Sequence, residues 1–176
     1  MLIRKGRPTT IRRAASARAL AAVGALLAAA VAAAAQLAGM PAPDFVLKSV
    51  AGQNMRLSEF RGEVVMLSFG ATWCGDCRAQ LTHLSEMQTR YRDAGVELLA
   101  VSLDQTAKQA GELSGNGAAF PVLHDVGGEV GKLYEVAKVP VVVLIDREGV
   151  VRKVFEGYRR GNESQYLESV QALLRE

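Results

Sequence analysis

The segment Trp73-Cys74-Gly75-Asp76-Cys77-Arg78 directly follows an apolar run, Val64-Val65-Met66-Leu67-Ser68-Phe69. A near-continuous apolar run of this length fits a strand buried on both faces, which a fold must cover with a layer on each side. The chain has no cysteines besides these two. Their spacing lets the sulfurs meet within one helical turn. A helix beginning at the motif would turn its unpaired N–H groups toward the first cysteine and stabilise a thiolate there. A dithiol at the junction of a strand and a helix is the layout for reversible disulfide chemistry. A purely structural disulfide is the weaker reading, because closing so short a loop removes little chain entropy.

The first 35 residues have a different composition from the rest. They hold Arg4, Lys5, Arg7, Arg12, Arg13 and Arg18 with no acidic residue, then an Ala-rich apolar run over 19–35. A basic start, an apolar middle and the small residues Ala33-Ala34-Ala35 are the layout of a secretory signal peptide over 1–35, cleaved before Gln36. The alternative is an uncleaved membrane anchor, for which the run is short and weakly hydrophobic against a span of about 20 residues. The Arg12-Arg13 pair is a weak twin-arginine signal, and with no cysteine near the cleavage point a lipoprotein anchor is set aside. Residues 36–43 read as a linker and 44–176 as one domain. From Gln36 onward 15 basic residues face 18 acidic ones, a net of −3. The basic balance of the whole chain therefore belongs to the leader, and nothing in the domain suggests nucleic-acid binding. Export would place the cysteines in the periplasm or at the extracytoplasmic face of a membrane, where disulfides persist.

Along the domain, a strand is expected over 44–50, a turn over 51–54, a helical turn over 57–60 and a strand over 64–69. A helix should run over 74–94, with Cys77, Leu81, Leu84, Met87 and Tyr91 on one face. A strand over 96–101, a helix over 105–113, an extended piece over 120–123 and a short helix over 129–134 follow. The runs 141–145 and 150–155 flank Asp146-Arg147-Glu148-Gly149 as a hairpin, and a helix over 163–174 ends the chain. The order is that of an α/β sandwich that begins with parallel units and ends antiparallel.

The apolar strand entering Trp73-Cys74-Gly75-Asp76-Cys77, the amphipathic helix after it and Val139-Pro140 before a strand and hairpin together resemble the thioredoxin superfamily. Pro43-Asp44-Phe45, Leu57-Ser58-Glu59-Phe60-Arg61-Gly62, Leu144-Ile145-Asp146-Arg147-Glu148-Gly149 and the long interval from Cys74 to Pro140 narrow the likeness to the exported TlpA/ResA branch. The resemblance implies a thioredoxin-like sandwich: a central mixed β-sheet flanked by helices, with an N-terminal strand extension and a central insertion. It implies Cys74 as nucleophile, Cys77 as resolving thiol and Pro140 as a cis-proline. Val139 would offer its backbone to an extended substrate segment, and Trp73, Gly75 and Asp76 would form the rest of the active-site shell. It further implies a thiol–disulfide oxidoreductase acting on protein substrates, with no cofactor or metal beyond its own dithiol. The lean is toward a reductase of the kind serving cytochrome c or copper-site maturation, supplied by a membrane electron donor.

Two positions depart from that pattern. Asp76 stands where the family usually has proline; beside the sulfurs its charge disfavours a thiolate and opposes the helix dipole. Ser68 stands where thioredoxins keep a buried carboxylate, and a serine cannot act as a base near neutral pH, so the general base is left open. His83, nine positions beyond Cys74, falls on the opposite side of the helix and reads as a solvated surface residue, as does Arg159-Arg160. His124 with the two thiols could bind copper in a chaperone, which is the non-enzymatic alternative. A disulfide-donating oxidase and a thiol peroxidase are the remaining alternatives.

Overall fold

The computed structural model describes residues 37–113, 115 and 118–176. The leader expected over 1–35, and Gln36 of the linker, lie outside the described residues.

Among the described residues, seven strands form one sheet: β1 (Val46–Ser49), β2 (Asn54–Arg56), β3 (Val64–Gly70), β4 (Val96–Ser102), β5 (Val122–His124), β6 (Val141–Ile145) and β7 (Val151–Glu156). Their order across the sheet is β2-β1-β5-β4-β3-β6-β7. Strands β3, β4 and β5 run parallel, while β6, β7, β1 and β2 join antiparallel. The helices are α1 (Cys77–Tyr91), α2 (Ala107–Leu113), α3 (Glu129–Leu133) and α4 (Asn162–Leu173), with 3-10 turns at Leu57–Phe60 and Arg92–Ala94. This is the mixed-sheet α/β sandwich that the sequence pattern implies.

Every residue of β3 is buried, which explains why its sequence runs apolar without alternation. Leu67 lies opposite Leu99 on one side and Val143 on the other. Helix α1 covers β3 and β4 through the stripe Cys77, Leu81, Leu84 and Met87. On the opposite approach Phe69 packs against Tyr134, whose ring also meets Phe45 edge-on and whose hydroxyl donates to the Pro43 carbonyl at 2.7 Å. Burial drives the Tyr134 phenol pKa strongly upward, so it stays a neutral donor and pins the start of the domain to the core.

The Pro43-Asp44-Phe45 and Leu57-Ser58 segments, distant in sequence, meet through the Asp44 carboxylate. It accepts from the Ser58 N–H at 2.9 Å and from the Ser58 hydroxyl and Arg56 at 3.1 Å each. At the β6–β7 turn Gly149 has φ +75°, and a Cβ there would overlap the Arg61 guanidinium. The positive φ favours glycine, while the flexible end of Arg61 could move aside.

Two expectations are corrected. Residues 54–56 form strand β2 against β1, with Val46 opposite Arg56, where a turn is expected to end at 54. The helix expected from 74 begins at Cys77; residues 74–76 form a turn closed by the Cys77 N–H on the Cys74 carbonyl at 3.3 Å. Gly75 and Asp76 supply that turn, Asp76 as the residue before the first helical position.

Candidate active site

The site is assembled at the carboxyl ends of the parallel strands. Gly70 ends β3, and its carbonyl accepts the Leu103 N–H just past β4 at 2.9 Å. The Cys74 N–H on the Ala71 carbonyl at 3.1 Å closes a turn that carries the motif out of the sheet. Cys74 and Cys77 are joined as a disulfide, with Cα atoms 5.5 Å apart. The two sulfurs have unlike surroundings: Cys77 is 1% exposed on the packed face of α1, whereas Cys74 is half-exposed at the helix end. A Cβ on Gly70 would lie 3.4 Å from the Cys77 sulfur, an ordinary contact distance, so the end of β3 packs directly against that sulfur. Cys74 stands just ahead of the first residue of α1, where a thiolate gains from the helix dipole.

Trp73 is 70% exposed, projecting to solvent rather than packing half-buried. Gly75 and Asp76 are exposed beside it. Val139 and Pro140 are buried at the entry to β6, and the peptide bond between them is cis. A groove runs from Asp76 past Lys138, Val139 and Pro140 to Tyr158 and Arg159. Arg159, expected as a solvated loop residue, lines this groove. Tyr158 donates its hydroxyl to Glu163, and burial together with that carboxylate pushes its pKa up to about 12.

Ser68 is 2% exposed, and its hydroxyl lies 3.4 Å from Gln80 Oε1. Gln80 in turn donates Nε2 to the Tyr166 hydroxyl at 3.0 Å. The site beneath the motif is thus a neutral chain from β3 through α1 to α4. Burial raises the Tyr166 pKa against the opposing Gln80 hydrogen bond, so the phenol stays protonated.

His83 is not freely solvated. It sits between Glu86 at 3.5 Å and Glu163 at 3.4 Å, its ring stacked on Tyr158 at 6.2 Å. His124 Nε2 lies 2.9 Å from the Asp104 carbonyl. Among the described residues no group of three or more His, Cys, Asp or Glu is placed to hold a metal ion. Sequence reasoning missed Asp104 and Gln80; each is a polar residue whose burial depends on partners far along the chain, and no local pattern marks it. Chemically, a disulfide with one reachable and one enclosed sulfur can exchange with an incoming thiol, or its dithiol form with an incoming disulfide, through the outer sulfur.

The chain is similar to several known proteins. Thiol-disulfide oxidoreductase ResA of Oceanobacillus iheyensis is 36% identical over 124 residues, covering 68% of this chain and 65% of that protein. ResA of Geobacillus thermodenitrificans is 34% identical over 134 residues, covering 75% of this chain and 77% of that protein. The crystal structure of a protein from Chlorobium tepidum, described as a thiol:disulfide interchange protein DsbE, superposes with a TM-score of 0.74 at 35% identity. That superposition spans 78% of this chain and 97% of the other. The model of the AhpC/TSA family matches residues 38–154, which run from within the expected linker into β7. The chain belongs to the AhpC/TSA family and carries its thioredoxin-like fold.

Proposed function

We propose that this protein is an exported thiol–disulfide oxidoreductase that reduces protein disulfides through Cys74 and Cys77. The observation that carries the reading is the asymmetry of the pair: Cys74 half-exposed at the N-terminus of α1, Cys77 enclosed on its packed face. In the dithiol form the Cys74 thiolate attacks one sulfur of a substrate disulfide. A Cys74–substrate bond forms, and the other substrate sulfur leaves as a thiolate that takes up a proton. Cys77, deprotonated, then attacks the Cys74 sulfur, restoring the 74–77 disulfide and releasing the second substrate thiol. The substrate gains two electrons and two protons, and the 74–77 pair gives up two electrons.

The groove at Val139 and Pro140 would seat an extended substrate segment, Val139 by its backbone, with Trp73, Gly75 and Asp76 as the other wall. Substrates of the cytochrome c or copper-site maturation type, and a membrane partner returning electrons, complete the reading. The basic and apolar leader over 1–35 supports export. Its cleavage before Gln36 would leave residues 36–176 free, the linker and the domain together, and its retention would tether that domain to a membrane. No helix of the described residues is long and apolar enough to cross one.

The reduction potential of the pair, measured by equilibration against glutathione and dithiothreitol, tests the direction. A value near thioredoxin's, about −270 mV, is expected for a reductase; one near DsbA's, about −120 mV, would make the protein a disulfide donor instead. Cys77→Ser should accumulate a mixed disulfide through Cys74 with its protein substrates. Cys74→Ser should accumulate none.

A further inference from the structure

Asp104 is 2% exposed, two residues past the end of β4. A buried carboxylate is tolerated only where hydrogen bonds occupy its oxygens, and here they do. It accepts the Thr72 N–H at 3.1 and 3.0 Å on its two oxygens, the Thr72 hydroxyl at 2.7 Å and the Ser102 hydroxyl at 2.8 Å. The Asp104 backbone is fixed as well: its N–H donates to Ser102 Oγ at 3.1 Å, and its carbonyl lies 2.9 Å from His124 Nε2. Three of these bonds converge on Thr72, 32 residues away in sequence and two before Cys74. Both donors of that one residue are held by one rigid acceptor.

We propose that Asp104 is a positioning residue for the dithiol, acting through Thr72 to hold the turn that presents Cys74 to Cys77. Cys77 is enclosed in the first turn of α1 against Gly70, and its N–H donates to the Cys74 carbonyl at 3.3 Å. Cys74 lies outside the helix, on the turn closed between Ala71 and itself. In the disulfide state the covalent bond fixes the distance between the two. In the dithiol state that tie is gone, and the concentration that one thiol presents to the other depends on the turn keeping its shape. Asp104 supplies the constraint from the loop just past β4. Loosening it lets the dithiol form relax, whereas the disulfide form cannot, so the equilibrium moves toward the dithiol and the reduction potential rises. The inference concerns the balance between the two states and holds whichever way electrons flow to substrate.

The test is the equilibrium of the full chain with glutathione for Thr72→Val, Thr72→Ser and Asp104→Asn, with urea unfolding of each in both redox states. Thr72→Val removes a donor without altering charge. It should lower the equilibrium constant for disulfide formation about tenfold, an upward shift of about 30 mV. Thr72→Ser, which keeps both donors, should match wild type. Asp104→Asn, in which an NH₂ replaces one accepting oxygen, should shift in the same direction, and the oxidised form of each shifted variant should lose more stability than the reduced form. An unchanged potential in Thr72→Val, with both redox forms losing stability equally, would overturn the proposal. So would a shift confined to Asp104→Asn, which would trace to its charge alone. If Asp104→Asn does not fold, the two Thr72 variants decide the matter.

Discussion

Asp76 combines two opposed electrostatic effects at one residue. It precedes the first helical position of α1 with no side-chain capping hydrogen bond, so its carboxylate is free to act on what lies beside it. At a helix N-terminus a negative charge is favourable, but the same charge next to Cys74 disfavours a second one on sulfur. Replacing it with proline, whose fixed φ near −65° suits a residue standing at φ −86°, removes the charge with little change to the backbone. The expected result for Asp76→Pro is a lower Cys74 pKa in the dithiol form, read by thiolate absorbance against pH, and a higher reduction potential. Because Asp76 is exposed, the difference should shrink as salt is added. An unchanged or higher pKa would leave Asp76 as a helix-start residue only. This much follows from position in the motif alone. The roles of Thr72 and Asp104 do not, because a threonine and an aspartate in loops carry no pattern until the fold sets them side by side.

Strand β3 and helix α1 were legible for the same reason: each buries a face set by its own local period. The apolar run at 64–69 needs no partner to be recognised, and Leu81, Leu84 and Met87 mark the inner stripe of α1. Strand β2 is different. Its three residues, Asn54, Met55 and Arg56, are strand only because β1 lies alongside, and no propensity within them announces it. The same limit hid the polar chain between elements, since Gln80 on α1 finds Tyr166 on α4 86 positions later. That chain has a measurable consequence. Tyr166→Phe would leave Gln80 Nε2 without its buried acceptor while keeping the ring that packs edge-on against Phe155 at 4.7 Å. The expected loss is about 1–3 kcal/mol, read as a lower urea midpoint with an unchanged slope. A loss of a few tenths would mean that water or a rotated amide satisfies Gln80.

Across the molecule the sheet separates two ends with different chemistry. Its carboxyl end carries the dithiol, while Val64 opposite Val96 marks the other. There Glu63 and Glu97 stand near one another, and Gln88 Nε2 donates to Glu97 at 2.7 Å. Burial, reinforced by the charge of Glu63, raises the Glu97 pKa against the opposing effects of Arg92 and Gln88. The folded state therefore holds this proton to higher pH than the unfolded chain does. Below the ordinary glutamate value, about 4.3, both states are protonated and the contribution to stability is fully present. As pH rises from there through the raised folded value, the unfolded state ionises first and stability falls. Asp44 works in the opposite sense at lower pH. Burial raises its pKa, but the Ser58 and Arg56 contacts outweigh burial and leave it lowered, so its stabilisation is lost as acid protonates it. Glu97→Gln keeps an acceptor for Gln88 and removes the titration. The variant should melt at a higher temperature than wild type near pH 7, and the two should converge toward about pH 4, where Glu97 is itself neutral. Glutathione equilibration of the same variant should leave the potential of Cys74–Cys77 where it was, because Glu97 titrates at the end of the sheet away from the sulfurs. A constant difference in melting temperature across that pH range would mean that packing, and not the Glu97 proton, separates the two proteins.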